Sequence, residues 1–452
     1  MSLFNLKGRN GALTERVNQR SRVPNYCMNY QRTVLPNGLR LLTAPMSGMC
    51  SASITFSFGV GSRYEQDHVA GVSHFIEHML FKGSFNYPTA RHISEAIEGV
   101  GGTFNASTGK ELTSYIARVP AEYLPIVMDV LTDMLRRPLF DSAEVEKERS
   151  VIIEELNATR DDPQEWVNLL ADEVMWPGLP LGRDDAGTVE TVKCLERQQL
   201  LDYLEQHYLP NSLVISVAGN IDQQQIIEAA NAAFADWRMG ERSRWKESLP
   251  PRDTLNVKMV QKETEQTNLC LTTLGVAYSS PDYAAFMLTN ALLGDGMSSR
   301  LFQALREEQG LAYDIGSYFN SYHETGNLVV SAGIDPARAE DATQAILTEL
   351  NRLCHVLVAP DELERTKAYV RGGILLSLEG TQQVACWLGS QECLRGCVRD
   401  VKEIVATINA VTAQDIQRVA MSCFAPEWRR LAIIGPDDID RATYFGKLLT
   451  SV

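Results

Sequence analysis

The chain has 452 residues, 44% hydrophobic and 22% charged, which is enough apolar material for two or three globular cores rather than one. Its formal net charge of -15 argues against nucleic acid as a partner, because phosphate binding needs a basic face. Acidity of this size permits steering of a basic substrate, and its plainer reading is solubility.

Taken in chain order, RTVLPNGLRLLTAP (32–45) reads as two short strands around a Pro-Asn-Gly turn. SASITFSFGVGSRYE (51–65) opens as a strand of alternating small and apolar residues. GVSHFIEHMLF (71–81) is helical and is broken by Lys82-Gly83. A second helix, RHISEAIEGVG, stops at glycines 99, 101 and 102. TFNASTGKELTSYIARV (103–119) predicts a hairpin, and residues 120–137 and 141–160 predict two helices. The same order then recurs: a strand over 267–278, a helix over 282–294, a hairpin over 311–334, and helices over 336–354 and 359–379. The best local echo sets SAEVEKER (142–149) beside PDELERTK (360–367). Between the halves lies the polar stretch 236–254, with Pro250-Pro251, read as a linker.

Helical spacing puts positions i, i+3 and i+4 on one face, so His74, Glu77 and His78 converge. Two imidazoles one turn apart can share a zinc ion, and a glutamate between them can take a proton from water beside it. The pattern H-x-x-E-H is the inverted zincin motif. A catalytic zinc takes a third protein ligand and keeps an open position. KERSVIIEEL (147–156) offers that ligand: Glu148 and Glu155 lie seven apart, hence on one helical face. A solvated Glu/Lys face is the alternative for this helix.

The stretches HFIEHMLFKGS, NAS…E…TSY and EKERSVIIEE together resemble the pitrilysin-type inverzincin metallopeptidases, and most of all the branch of the mitochondrial processing peptidase and its bacterial relatives. The resemblance covers most of residues 30–450. It implies an α+β fold of two related domains, each a mostly antiparallel sheet with helices on one face, making half of a clam-shell peptidase chamber. It implies one Zn2+ per chain, held by His74, His78 and a distal glutamate. At the family's spacing both Glu154 and Glu155 qualify; the local pattern E-R-x-V-I-x-x-E favours Glu155, with Glu148 as a supporting catalytic glutamate. Glu77 is then the base. Arg306 and Tyr313, in SSRLFQALREEQGLAY (298–313), match the family's substrate-binding pair, and Asn105 and Ala106 match its edge strand for an added peptide strand. The implied partners are a peptide substrate and a homodimeric or heterodimeric second subunit, because the family's closed chamber needs four such domains.

The resulting layout is a tail (1–30), a zinc-bearing domain (31–240), a linker (241–255) and a metal-free related domain (256–452). Matching FKGS (81–84) to GDGM (294–297) sets Met287, Asn290 and Ala291 where His74, Glu77 and His78 stand, and Gly373 falls opposite Glu155. Nine scattered cysteines point to a reducing compartment, the cytoplasm first and the mitochondrial matrix as alternative. Cys386, Cys393 and Cys397 read as buried structural thiols. No apolar run approaches the ~18 residues of a membrane span. The Arg-rich N-terminus lacks a secretory apolar stretch and reads as a solvated tail, with a transit peptide as alternative. A silent core or partner subunit of the same fold, and a structural-zinc module, are the rival functional readings.

Overall fold

The computed structural model describes residues 28–252, 256–436 and 439–450. The tail and transit-peptide readings, and Cys27, lie outside them. The first half contains β1 (Gln31–Val34), β2 (Arg40–Pro45), β3 (Ser51–Phe58), α1 (Val72–Leu80), α2 (Ala90–Glu98), β4 (Thr103–Thr108), β5 (Thr113–Pro120), α3 (Leu124–Arg136), α4 (Ser142–Asp161), α5 (Pro163–Met175), α6 (Val189–Cys194), α7 (Arg197–His207), β6 (Leu213–Gly219) and α8 (Gln223–Phe234). The second contains β7 (Val257–Gln261), β8 (Thr267–Leu274), α9 (Tyr283–Leu293), β9 (Ala312–Ser321), β10 (Gly326–Ile334), α10 (Ala339–His355), α11 (Pro360–Ser377), α12 (Thr381–Arg395), α13 (Val401–Ala410), α14 (Ala413–Cys423), β11 (Arg430–Gly435) and α15 (Ala442–Thr450).

The two sheets run β1-β2-β6-β3-β5-β4 and β7-β11-β8-β10-β9. Strand for strand they match once β1 is set aside, down to a single parallel pair in each, β2 with β6 and β7 with β11. The repeat legible in the sequence is thus a repeat of topology, and the fold is α+β with two mostly antiparallel sheets. The order puts β1 and β4 at the edges of the first sheet and β7 and β9 at those of the second.

The expectation of helices on one face only needs correction. Helices of each half cover one face of its own sheet, and a helix from the opposite half covers the other. Val167, Leu170 and Ala171 of α5 pack on Cys270, Val329, Ala432 and Ile434 of the second sheet. In return, Val384, Ala385 and Leu388 of α12 pack on Leu42, Ala44, Val214 and Ala218 of the first. The α12 approach is close: a Cβ at Gly389 would stand 2.8 Å from the hydroxyls of Ser57 and Ser216. Sheets apolar on both faces need two covers, and exchanging one helix each supplies both while tying the halves together. Cys386 and Cys393 lie on this α12 face but are only half-buried, and Cys397 is exposed, so the buried-thiol reading does not hold for all three.

The predicted linker contains no helix or strand from Trp237 to Arg252, yet it is pinned. Trp245 stacks on His323 with ring centroids 3.9 Å apart, and buried Ser248 donates its N–H to Glu324 at 2.9 Å. Glu324, in the β9–β10 turn, also pairs with Arg63 of the first half, whose side chain is fully buried and also pairs with Glu111.

Candidate metal centre

Helix α1 is held from both sides of its sequence pattern. Val72, Phe75, Ile76, Met79 and Leu80 are fully buried in the first core, each worth roughly 1.5–3 kcal/mol of transfer free energy. The opposite face carries His74, Glu77 and His78, all half-buried. Gly71 begins the helix at φ 93°, with Ala186 O 2.4 Å from where a Cβ would lie, so only glycine is accommodated. The carboxylate of Glu65 accepts the N–H groups of Gly71 and Ser73, both at 2.8 Å, satisfying donors that the helix itself leaves open. Burial pushes Glu65 up to about 7 despite those two bonds.

Helix α4 starts on an Asp141 cap and buries Val145, Glu148, Ile152 and Leu156 on one face. It runs alongside α1, and the two bring three ligand-type groups together. Glu155 Oε2 lies 3.4 Å from His74 Nε2 and 3.5 Å from His78 Nε2. Donor atoms of His74, His78 and Glu155 all fall within 4.8 Å of one another. Among the described residues this is the one group of three or more His, Cys, Asp or Glu side chains with that spacing. Two imidazole nitrogens and a carboxylate oxygen, with Glu155 still 48% exposed, match the donor set of a zinc site that keeps an open position. Glu154 is exposed and takes no part.

The remaining sequence-predicted residues divide. Glu148 is outside the trio: its Oε2 accepts from His78 Nδ1 at 3.0 Å, behind the ring, and its Oε1 pairs with Lys82 Nζ at 2.6 Å. Glu77 accepts a hydrogen bond from the Thr108 hydroxyl on β4. Asn105 and Ala106 lie on that same edge strand, opposite Ile116 and Tyr115 of β5, and the Asn105 side chain accepts from the Ala106 N–H at 2.9 Å. Arg306 and Tyr313 stand apart. Arg306 lies in a π-helical turn, Phe302–Glu308, with its guanidinium 4.8 Å from the Phe302 ring. Tyr313 on β9 is 77% exposed. Neither makes a hydrogen bond or ion pair with the trio. Sequence reasoning missed Thr108, Lys82 and Glu65. Two had a signal: Thr108 follows Ala106 by two on one strand face, and Lys82 follows His78 by four.

Residues 43–188 match the family described as insulinase (peptidase family M16), and residues 195–370 match the peptidase M16 inactive domain. The chain is 35% identical over 416 residues to an uncharacterized zinc protease of Streptomyces coelicolor, covering 90% of this chain and 89% of that one. To the uncharacterized zinc protease YmxG of Bacillus subtilis it is 33% identical over 408 residues, covering 90% and 98%. Among solved structures, a protease from Helicobacter pylori superposes with TM-score 0.86 at 20% identity, covering 91% of this chain and 100% of that one. A chain of complex III2 from Candida albicans gives TM-score 0.78 at 21% identity, covering 93% and 99%. No helix among the described residues is long and apolar enough to cross a membrane. On the strength of relatives matched over nine tenths of its length, the chain belongs to peptidase family M16.

Proposed function

We propose that this protein is a zinc-dependent endopeptidase that cleaves peptides, leader or targeting segments among them, bound as an added strand on the β4 edge. The convergence of His74, His78 and Glu155 beside Glu77 is the observation that carries this reading. Zinc held by those three side chains would supply Lewis acidity toward the scissile carbonyl. Glu77 takes the proton of the attacking water and returns it to the leaving amine, while Thr108 fixes one of its carboxylate oxygens. The unpaired backbone of β4 offers main-chain hydrogen bonds to an extended peptide, which tolerates many side chains. In the free chain Asn105 covers the Ala106 N–H, so substrate exchanges that bond rather than meeting a bare donor. Arg306 and Tyr313 serve the zinc of a second subunit, because they make no contact with their own chain's trio. The dimer forms the closed chamber, and the cytoplasm is its compartment.

The test is Glu77→Gln. It should bind zinc as the wild type does and lose hydrolysis of a peptide library by several orders of magnitude, read by mass spectrometry. Near wild-type cleavage by this variant would overturn the mechanism. A silent subunit of the same fold is the second reading, favoured by the likeness to a chain of complex III2 and by the match of residues 195–370 to an inactive domain. It requires wild-type protein with bound zinc to cleave no member of the library.

A further inference from the structure

We propose that Lys82 is a positioning residue of the metal centre, acting through Glu148 to hold His78 with its Nε2 toward the metal. The inference deepens the zinc reading above and rests on it. His78 and Lys82 belong to the same helix and its exit, four positions apart, and Glu148 reaches both from α4. The Lys82 ammonium holds Oε1 of Glu148 at 2.6 Å, leaving Oε2 to accept from His78 Nδ1 at 3.0 Å. A proton kept on Nδ1 leaves Nε2 with a free lone pair, and Nε2 is the atom that faces Glu155. Glu148 needs such a partner. Its side chain is 5% exposed, and a buried carboxylate facing only a neutral imidazole would carry an uncompensated charge. Lys82 is 27% exposed, so its charge reaches the site from the rim. The turn that aims it is constrained: Gly83 has φ 145°, and a Cβ there would stand 2.5 Å from Pro88 O. The two imidazoles therefore differ, since His78 is clamped on its far nitrogen, whereas the His74 ring hydrogen-bonds with Glu155 alone among the described residues.

The second half of the chain provides an internal control. Its sheet has the same strand order, and its counterpart helices α9 and α11 adjoin as α1 and α4 do. Even the strand-to-helix bond recurs: Thr108 donates to Glu77, and Ser317 donates to Asn290 at 2.8 Å. In that half, Ala291, Asp295 and Thr366 occupy the places of His78, Lys82 and Glu148. A cation needed only for folding the helix exit would have no reason to vanish together with the ligand and the carboxylate. Here all three are absent together, and the cation's place is taken by an anion. Asp295 accepts instead from Tyr369, at 3.1 Å.

The experiment is zinc affinity by chelator competition on the full chain, using wild type, Lys82→Met, Lys82→Arg, Glu148→Gln and the Lys82→Met/Glu148→Gln double variant. Loss of an outer-layer partner of this kind costs about 10–100-fold in metal affinity. Lys82→Met and Glu148→Gln should each weaken zinc by that factor, and Lys82→Arg should recover most of it. The double variant should be no weaker than Glu148→Gln, because without the carboxylate Lys82 has nothing to act through. Unchanged affinity in Lys82→Met, or a full further loss on adding it to Glu148→Gln, overturns the proposal. If Lys82→Met does not fold, Lys82→Gln is compared with and without Glu148→Gln in its place. A wild type that binds no zinc would instead overturn the zinc reading itself, which keeps the two failures distinct.

Discussion

Arg63→Met probes how the two halves are held, and its cost follows from what the guanidinium touches. Its side chain is fully buried; it pairs with Glu111 of the first half and Glu324 of the second, and donates to the Lys246 carbonyl at 3.2 Å. Trp245 also lies 5.5 Å from it, ring centroid to guanidinium carbon. Removing one partner of a buried ion pair costs about 3–5 kcal/mol, because the other charge is left uncompensated. Both glutamates keep a second donor, Glu111 the His323 N–H at 3.1 Å and Glu324 the Ser248 N–H at 2.9 Å, which places the cost near about 3 kcal/mol, the low end. Unfolding entropy is about 0.9 kcal/mol/K for 452 residues, so the melting temperature should fall by about 3 °C if the halves unfold together and about twice that if one unfolds alone. Glu324→Gln added to Arg63→Met should return part of the loss, since it removes one stranded charge. The acid limb changes as well. Arg63 holds Glu324 below the usual carboxylate range against the opposing effect of burial, whereas burial lifts Glu111. Stability from Glu324 is therefore complete above its unfolded value and lost as pH falls through the lowered folded one; Arg63→Met should remove that contribution. Thermal melts monitored by circular dichroism from about pH 2 to about pH 8 measure both effects. A melt within 1 °C of wild type at neutral pH would refute the reasoning.

Glu155→Gln should reduce zinc affinity by more than the roughly 100-fold typical of outer-layer losses, while Glu154→Gln leaves it within about threefold; metal analysis after dialysis decides, and the reverse order would move the ligand to Glu154. Mixing inactive Glu77→Gln with inactive Arg306→Ala protein should restore part of the activity after subunit exchange, because a mixed dimer holds one complete site; no recovery despite demonstrated exchange contradicts the cross-chain assignment. Burial holds His207 down to about 4 from its ordinary 6.5, so the unfolded chain binds the extra proton between those values. Stability should therefore fall by about 3 kcal/mol as pH drops from about 6.5 to about 4 and then level off, and His207→Gln should flatten that slope in urea titrations.

Local periodicity already contained the helix of the candidate metal centre. One turn of helix dictates that His74, Glu77 and His78 share a face, and the apolar residues between them dictate which face is buried. The order of strands and helices was equally legible over 32–160 and 267–379, because alternation and caps are short-range signals, and its recurrence predicted a repeated unit; the elements of 163–234 and 381–450, which complete both sheets with β6 and β11, were not read. What reads only one residue at a time could not decide pairs distant in the chain. Glu154 and Glu155 are equivalent as neighbours in sequence; the rotation of α4 against α1, set by Val145, Ile152 and Leu156 in the core, turns Glu155 to the histidines. Lys82 looked like a helix breaker until α4 brought Glu148 to it. The π-helical turn around Arg306 has no periodic signature, since it keeps a helical pattern with one extra residue. Polar composition marked 236–254 as a free linker, but composition does not register that Trp245 finds His323. The exchange of α5 and α12 was likewise invisible: that a helix has a face to bury does not name the sheet that buries it, and α12 carries almost no amphipathic pattern to begin with.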